Sequence, residues 1–196
     1  MKQTTEVRQK QIKQAVLELI ATDGIHAIST RNLAKKVGIS EGALFRHFDS
    51  KRDIMLSIME DVYKDLLEDL RNIAFSSQPA VSRLFKFLCR HISYLIDNKG
   101  ITILIFSEAA HMNDPTLKER LHQILIQQKQ LISKIIQDGI VEGHWDPELS
   151  IEDVAMLYMG IPISLNIELV LNRNNVNTKN FCKNMEYLLN RVLEKK

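Results

Sequence analysis

The spacing of the apolar residues is the feature that most limits the fold of this 196-residue chain. Apolar positions recur with a period near 3.6 along almost the whole sequence, as at Ile12, Val16 and Leu19, and this spacing favours α-helices. The chain contains only 7 Gly and 4 Pro, whereas sandwiches, barrels and propellers need a turn every ~8–12 residues. The sequence therefore predicts an all-α fold with about nine helices.

Capping and stop residues predict where these helices begin and end. Thr30 is suited to cap a short second helix that Gly38 ends, and Asp114-Pro115 is typical of a cap followed by a first-turn proline. An S-x-x-D pattern at Ser150 predicts another helix start. The expected helices cover residues 5–23, 31–37, 41–48, 50 to a break at 76–79, 80–97, 101–111, 115–139, 151–172 and 178–194, with a polar loop at 172–178. The β-like run at 101–106 is interpreted as a buried helix.

Residues 154–171 are long and apolar enough to raise the question of a membrane span. The stretch contains Pro162 and Glu168, and a carboxylate is costly in lipid. We therefore interpret it as a helix buried in a core or a subunit interface. The N-terminal segment lacks the apolar region of a signal peptide, so we expect a cytoplasmic protein without membrane contact.

The two cysteines, Cys89 and Cys182, lie far apart in the sequence and form no CxxC motif. This arrangement indicates neither a disulfide framework nor a zinc finger, and it fits a reducing compartment. No metal or other cofactor is predicted.

Positive charge is concentrated at the N-terminus. Residues 1–52 carry ten Lys or Arg and five Asp or Glu, a net charge of +5, whereas the remainder carries −3. A basic head on a mildly acidic body suggests that the head binds a polyanion.

The two short helices of the head are separated by Gly38-Ile39-Ser40 only. A tight turn with glycine in the left-handed region sets two helices across each other, as in a helix-turn-helix. The apolar positions expected to pack against the first helix are Leu33, Ala34, Val37, Ile39, Leu44 and Phe48. A recognition helix places its N-terminal residues against base edges in the major groove of DNA.

The outward residues of this second helix are suited to contact bases. Arg46 is able to bind guanine or a phosphate, and Glu41 is able to accept from cytosine N4. Ala43 and Phe45 are suited to contact thymine methyl groups, and Gly42 permits close approach of the backbone.

A second group of residues is suited to contact phosphates. Thr30 and Ser40 stand at helix N-termini, and His47 carries a ring N–H donor. Lys51 lies in the first turn of a helix, where a cation opposes the helix dipole unless an anion binds there. Arg31 completes the set of candidate DNA-binding residues.

Residues 30–51, TRNLAKKVGISEGALFRHFDSK, resemble the helix-turn-helix of the TetR/AcrR family of one-component repressors. Residues 8–30 resemble the family's first helix, and residues 135–160 resemble a weaker pattern of its body. The family commonly has tyrosine where this chain has Phe45, so one phosphate contact through a hydroxyl is lost here.

This resemblance implies a DNA-binding domain at 1–49 and a ligand-binding and dimerisation domain at 50–196. It implies a homodimer formed through the helices at about 151–172 and 178–194, where Gly160 permits close helix approach. The dimer would bind a palindromic operator in double-stranded DNA and be released by a small apolar or amphipathic effector. It would act as a transcriptional repressor.

The middle helices would then enclose the effector. The candidate ligand-binding residues are Met59, Tyr63, Phe85, Cys89, Phe106, Met112, Met156 and Met159, although an ordinary core position is the first interpretation of each taken singly. Tyr158, Asn166 and Glu168 are suited either to orient a ligand or to bond across a dimer.

Two alternatives remain open from the sequence. Glu108/His111 and Glu119/His122 have the i, i+3 spacing of di-iron carboxylate bundles, but both pairs lie close to one helix break. A metal-binding helical enzyme is therefore the weaker alternative. The other is a DNA-binding protein with a non-transcriptional role, which would have the same head.

Overall fold

The computed structural model describes residues 4–172 and 178–195, and every regular element within them is helical. The α-helices are α1 Thr5–Asp23, α2 Thr30–Val37, α3 Glu41–Leu44, α4 Lys51–Val62, α5 Glu68–Ala74, α6 Ala80–Asp97, α7 Ile101–His111, α8 Pro115–Val141, α9 Ile151–Leu171 and α10 Phe181–Leu193. A 3₁₀ turn covers Ile25–Ala27, and a π-helical segment, Tyr63–Leu67, separates α4 from α5. Taken as one interrupted helix, α4 and α5 bring the described helices to nine, and the all-α prediction is confirmed.

The chain forms two compact units. The first comprises the residues up to Asp61 together with Leu104–Leu121, and the second comprises Val62–Ile103 and the residues from His122 onwards. The domain boundary expected after residue 49 stays a prediction, and most of the loop expected at 172–178 lies outside the described residues.

The head within the first unit is built on the apolar face of α1. Ile12, Val16 and Ile20 are almost fully buried. Leu33 and Leu44 bring α2 and α3 onto the same core, with no exposed surface. Val37 and Ile39, which we expected to pack there, are half-buried. The buried face of α1 therefore fixes the orientation of the two short helices in the head.

The cap of α2 differs from the expectation by one residue. Ser29, rather than Thr30, is the N-cap, and its hydroxyl accepts a hydrogen bond from the N–H of Asn32 at 3.1 Å. Thr30 is the first helical residue, so its hydroxyl is available for another partner. The other predicted caps are confirmed at Ser150, which accepts from Asp153, and at Asp114, which accepts from Thr116 and Leu117.

Helix α8 extends past the expected end at residue 139 to Val141. Gly139 does not stop the helix. It makes room for the buried ring of Trp145, which would lie only 2.0 Å from a β-carbon at this position. The chain leaves the helix at Gly143, whose φ is +78°.

Helix α9 has one buried and one exposed apolar face. Val154, Ala155, Tyr158, Leu165 and Leu169 are buried, whereas an outer stripe is exposed at Met156, Leu157, Ile163, Ile167 and Leu171. Among the described helices, α9 is the one long and apolar enough to cross a membrane, with 44% of its most apolar window buried. The β-like run at 101–106 lies in α7, so its interpretation as a helix is confirmed.

The interpretation that the two cysteines do not indicate a disulfide is wrong. Cys89 of α6 and Cys182 of α10 form a disulfide with their Cα atoms 5.4 Å apart. The two helices pack against each other in the second unit, which brings together residues 93 positions apart in the sequence.

Several polar side chains are buried in the second unit, each with a partner there. Arg83 donates to Asp138 at 2.7 Å, to Glu142 at 3.2 Å and to the carbonyl of Ala74 at 2.7 Å. Nδ1 of His91 lies 3.3 Å from the hydroxyl of Tyr158. Burial, followed by the nearby charge of Arg90, lowers the pKa of His91 to about 4, so this ring is neutral at physiological pH.

Candidate nucleic-acid interface

The turn between α2 and α3 has the geometry that its glycine predicts. Gly38 adopts φ +75° and ψ +37°, and its N–H donates to the carbonyls of Ala34 and Lys35. The N–H of Ile39 donates to Ala34 at 2.9 Å, which completes the helix C-cap. Ser40 then caps α3 by accepting from the N–H of Ala43 at 3.1 Å. The two helices are thus joined by three residues that satisfy the free backbone groups at both ends.

The second helix of the motif is shorter than we expected from the sequence. Regular α-helix covers Glu41–Leu44, and tighter turns continue to Phe48, with the N–H of His47 donating to Leu44 at 2.9 Å. Leu44 and Phe48 are both buried, as they would be on one face of a continuous helix. The residues between them therefore keep nearly the positions that a helix would give them.

The candidate base-contacting residues mostly lie on the surface. Glu41, Gly42, Phe45 and Arg46 are exposed, and Ala43 is half-buried. No side chain or backbone atom would lie within 4 Å of a β-carbon on Gly42, so this part of the helix is open to an approaching surface. Within the part of the chain that the structure describes, Arg46 makes no hydrogen bond or ion pair. Its guanidinium is therefore available to a ligand.

Glu41 has an internal partner. Its carboxylate accepts a hydrogen bond from the hydroxyl of Thr30 at 3.0 Å, which links the start of α2 to the start of α3. A carboxylate held in this way orients the two helices, and its negative charge would be repelled by phosphates nearby. Thr30, expected to contact phosphate, is engaged in the same bond.

His47 combines a backbone contact with an unsatisfied ring atom. Its carbonyl accepts from the side-chain amide of Gln9 at 3.0 Å. Its Nδ1 is buried and has no hydrogen-bond partner among the described residues.

The candidate phosphate-binding lysine is already paired. Nζ of Lys51 lies 2.6 Å from a carboxylate oxygen of Glu108 in α7, and 29% and 12% of the two side chains, respectively, are exposed. Next to it, Arg52 donates to Asp114 at 2.8 Å and to Thr116 at 2.6 Å. The hydrogen bond from the backbone N–H of Leu117 is the main cause that holds the pKa of Asp114 below its usual value; burial opposes it, and the charge of Arg52 adds to the lowering. The first turn of α4 is thus tied to residues 108–116 within the first unit.

The candidate ligand-binding residues occupy different environments. Met59 and Met159 are buried, and Tyr63, Phe85, Phe106 and Met112 are half-buried. Met156 is 59% exposed, on the outer stripe of α9. Cys89 is half-buried and takes part in the disulfide.

One half-open pocket of about 140 Å³ in the second unit includes a candidate, Tyr63. It is lined by the π-helical segment, α5 and α8 and contains Arg71 and Phe75. The guanidinium of Arg71 stacks over the ring of Phe75 at 5.5 Å, and this ring is 59% exposed. Interruptions of an α-helix by π turns are frequent at functional sites.

The polar residues of α9 are bonded within the protomer. Tyr158 faces His91, and Asn166 donates to the hydroxyl of Thr102 at 2.7 Å. Glu168 accepts from Asn172 at 2.6 Å, just beyond the end of the helix.

The two E-x-x-H pairs lie on different helices, the first on α7 and the second on α8. Glu108 is paired with Lys51, while His111 and His122 are exposed. No group of three or more His, Cys, Asp or Glu side chains placed to hold a metal occurs among residues 4–172 and 178–195.

Sequence reasoning missed the buried polar residues Arg83 and His91. Both lie on the apolar face of α6, beside Leu84, Phe87 and Leu88. A charged or titratable residue at a core position of a helix was the available signal, because such residues are rarely buried without a partner.

Comparison with known proteins identifies the head. Residues 12–58 match the sequence model described as "Bacterial regulatory proteins, tetR family". The Photorhabdus laumondii protein named nucleoid occlusion factor SlmA is 29% identical over 138 residues, which cover 67% of this chain and 69% of that protein. The Bacillus subtilis fatty acid metabolism regulator protein is 23% identical over 150 residues, which cover 76% and 77%.

Solved structures extend the likeness to the whole fold. A bacterial regulatory protein in the tetR family from Rhodococcus superposes with a TM-score of 0.81 at 20% identity, covering 96% of this chain and 98% of the other. The transcriptional regulator FadR of Bacillus subtilis, in complex with stearoyl-CoA, superposes with a TM-score of 0.76 at 22% identity, covering 92% and 96%. Residues 12–58 are therefore similar to the helix-turn-helix region of the tetR family of bacterial regulatory proteins, and the chain shares the all-α fold of the solved structures.

Proposed function

We propose that this chain is a ligand-responsive transcriptional repressor that binds a palindromic operator as a homodimer. The observation that carries the proposal is the exposed surface of α3 and of the turns that follow it, where Gly42, Phe45 and Arg46 lie on the outside of a capped and well-packed helix-turn-helix. Such a helix fits the major groove of DNA, and Arg46 is the side chain best suited to bind guanine. The positive charge of residues 1–52 supplies the attraction to the phosphates.

A second copy of the chain is the partner that the outer faces of α9 and α10 fit best. Exposed apolar side chains lie at helical spacing on both, at Met156, Leu157, Ile163, Ile167 and Leu171 and at Tyr187, Leu188 and Val192. An apolar surface of this kind is typical of a protein interface. Gly160 on the same face of α9 has nothing within 4 Å of a β-carbon, so another helix is able to approach closely there. A two-fold dimer would present two α3 helices to half-sites about 34 Å apart.

Lys51 connects DNA binding to the rest of the first unit. A phosphate at the first turn of α4 would compete with the carboxylate of Glu108 for the ammonium group. Conformations that hold Glu108 against Lys51 therefore bind DNA more weakly than those that separate them. An effector that favours one set shifts the population, and each tenfold loss of operator affinity requires ~1.4 kcal/mol of differential binding.

We propose a long-chain acyl-CoA as the first effector class to test. Two relatives support this choice by their names: the fatty acid metabolism regulator and the FadR structure with stearoyl-CoA. The candidate contacts are the apolar residues expected from the sequence, with Tyr63 in the pocket beside the π-helical segment. The outward Met156 belongs to the proposed dimer face instead.

A second candidate function is a DNA-binding role outside transcription. It is favoured by the relatives named nucleoid occlusion factor SlmA, which cover two thirds of the chain. Both functions use the same head and a dimer. They differ in where the operators lie, which is a property of the selected DNA sequence and its positions on the chromosome.

The test is selection of bound duplexes from a random DNA library at moderate salt, followed by sequencing. We expect enrichment of a palindrome whose half-sites are one helical turn apart. Arg46→Ala should weaken binding to it by ~1–3 kcal/mol and relax specificity at one position in each half-site. Lys64→Ala, which removes an exposed lysine of the π-helical segment, is the charge-matched control and should bind like the parent protein.

Salt-sensitive binding without sequence enrichment would contradict the proposed operator. Enriched sites that lie away from promoters and are spread along the chromosome would favour the second function. Addition of palmitoyl-CoA or stearoyl-CoA to the complex should release the enriched duplex, with coenzyme A alone as the control.

A further inference from the structure

The disulfide between α6 and α10 is the strongest feature that the proposed function leaves unused. Cys89 and Cys182 are the only cysteines of the chain, and the structure joins them. Both are half-buried, so small molecules have access to the pair. A regulator that binds the chromosome works in a compartment that keeps thiols reduced, where disulfides are usually transient and redox-sensing.

We propose that Cys89 and Cys182 form a reversible thiol–disulfide site that is oxidised by hydroperoxides, and that the bond weakens operator binding. The first part concerns the chemistry of the site alone. The second part rests on the proposed function, because it requires an operator.

The position of Cys182 favours the thiolate, which is the reactive form. Cys182 is the second residue of α10, where the free N–H groups give the helix its positive end. Asn180 precedes the helix without a side-chain cap. A thiol at a helix N-terminus is activated towards oxidation.

The reaction is a two-electron oxidation that balances with one hydroperoxide. The Cys182 thiolate attacks the terminal oxygen of the peroxide, the O–O bond breaks, and the leaving alkoxide takes a proton to become an alcohol. The resulting sulfenic acid is attacked at sulfur by the Cys89 thiolate. The S–O bond breaks and the hydroxide leaves as water after protonation. Two thiols and one hydroperoxide thus yield one disulfide, one alcohol and one water. Glutathione reverses the step by thiol–disulfide exchange.

The bond is placed where it constrains the proposed dimer face. Helix α10 carries the exposed Tyr187, Leu188 and Val192, and the disulfide fixes its first turn to α6. Helix α6 also holds α9 through the His91–Tyr158 pair. With the disulfide formed, both helices of the proposed interface are anchored to α6, whereas reduction releases the start of α10.

The direction of the effect follows from the constraint that the bond places on the proposed dimer face. The disulfide fixes the start of α10 to α6 and so narrows the range of conformations that a dimer can adopt on DNA. The oxidised form should accordingly be the weaker DNA binder, and reduction should widen the range of conformations available to a dimer on DNA.

The experiment compares the parent protein with Cys89→Ser, Cys182→Ser and the double variant. Each protein is reduced, freed of reductant and treated with cumene hydroperoxide or with cumyl alcohol as the matched control. Intact mass and free-thiol counts report the bond, and fluorescence anisotropy on the selected duplex reports the affinity. We expect the parent protein to lose two thiols, to bind at least about fivefold more weakly, and to recover both with glutathione. The double variant should bind the duplex like the reduced parent protein, and its affinity should not change on treatment with the peroxide.

Three results would overturn the proposal in different ways. Thiols that survive hydroperoxide, or a disulfide that glutathione does not reduce, would show that the site is not reversible. A disulfide that forms without change in affinity would show that the bond is structural only. Failure of either redox form to prefer any duplex would refute the operator and the control of its affinity, while the thiol count would still decide the chemistry of the pair.

Discussion

The head, α1–α3, and the second unit use their polar side chains in opposite ways. In the described part of the head every buried side chain is apolar, while Arg31 and Arg46 are exposed. In the second unit Arg83, His91 and Asn166 are buried, and each has a partner there, although Nε of Arg83 and Oδ1 of Asn166 have none among the described residues. A polar group that is satisfied inside the protein contributes to folding, whereas an exposed one is available to a ligand.

This difference explains why a short sequence motif indicates the role of the head, whereas the internal contacts of the second unit become visible only in the structure. The proposed role of the head rests on consecutive residues whose chemistry is visible in a short segment of sequence. The second unit is held together by pairings between distant helices. Substitutions should therefore change stability most in the second unit and DNA affinity most in the first.

The largest effect is expected at Arg83. Its replacement by alanine removes bonds to Asp138, Glu142 and the carbonyl of Ala74, and should lower the free energy of unfolding by about 2–4 kcal/mol. The value lies below that of a fully buried pair because Asp138 and Glu142 keep 21% and 32% of their side chains exposed.

The matched substitution in the head is Lys36→Ala. Lys36 lies 3.3 Å from Glu18, and both side chains are exposed, so its loss should cost less than about 1 kcal/mol. Urea unfolding of both variants measures the two values. Similar losses at the two positions would contradict the division of roles between the regions.

The next effect concerns pH. Since burial lowers the pKa of His91 to about 4, the folded chain keeps this ring neutral while the unfolded chain protonates it near pH 6.5. The stability that His91 contributes is therefore fully present above pH 6.5 and is lost as the pH falls towards 4. The loss amounts to roughly 3 kcal/mol across that window.

His91→Gln should remove this part of the pH dependence, because glutamine does not titrate. The measurement is thermal or urea unfolding at several pH values for both proteins. The difference between them cancels the carboxylates that titrate in the same range. If the unfolding free energies of the two proteins changed in parallel from pH 7 to pH 4, a buried neutral imidazole at position 91 would be ruled out.

Features of the fold that depend on neighbouring residues could be predicted from the sequence, whereas contacts between distant residues could not. Helices, the αL glycine at position 38 and the cap at Ser40 are local features, and short-range rules locate them. The Cys89–Cys182 bond and the Lys51–Glu108 pair join residues 93 and 57 positions apart, and periodicity carries no information about such contacts. The π-helical segment was missed because its buried residues, Leu66 and Leu67, also fit a regular helix.

Glu108→Gln tests whether the first unit contains a competitor for DNA. Removal of the carboxylate frees Lys51 for a phosphate, and operator affinity should rise by about 1 kcal/mol, which is roughly fivefold. Glu148→Gln, which removes an equal charge from an exposed site in the second unit, is the control for the change in net charge. Equal gains in the two variants at several salt concentrations would indicate a general charge effect without competition at Lys51.

The smallest and most selective effects are expected at two glycines of the head. Gly38 has a positive φ, so Gly38→Ala should destabilise the turn by about 1 kcal/mol although the methyl group has space. Gly42 lies in α3 with ordinary helical geometry and open surroundings, so Gly42→Ala should leave stability unchanged or slightly raised.

For operator affinity we expect the opposite order, with the larger loss in Gly42→Ala and the smaller loss in Gly38→Ala. The methyl group of Gly42→Ala would lie between α3 and the bases. The variant should therefore be stable but bind the selected duplex more weakly. Gly38→Ala should bind nearly normally once folded, because its side chain lies in the turn. Hydrogen exchange of the α2 and α3 amides measures the stability, and anisotropy measures the affinity. Full affinity of Gly42→Ala would mean that the backbone at this position does not approach DNA, and the reading surface would then have to centre on Phe45 and Arg46.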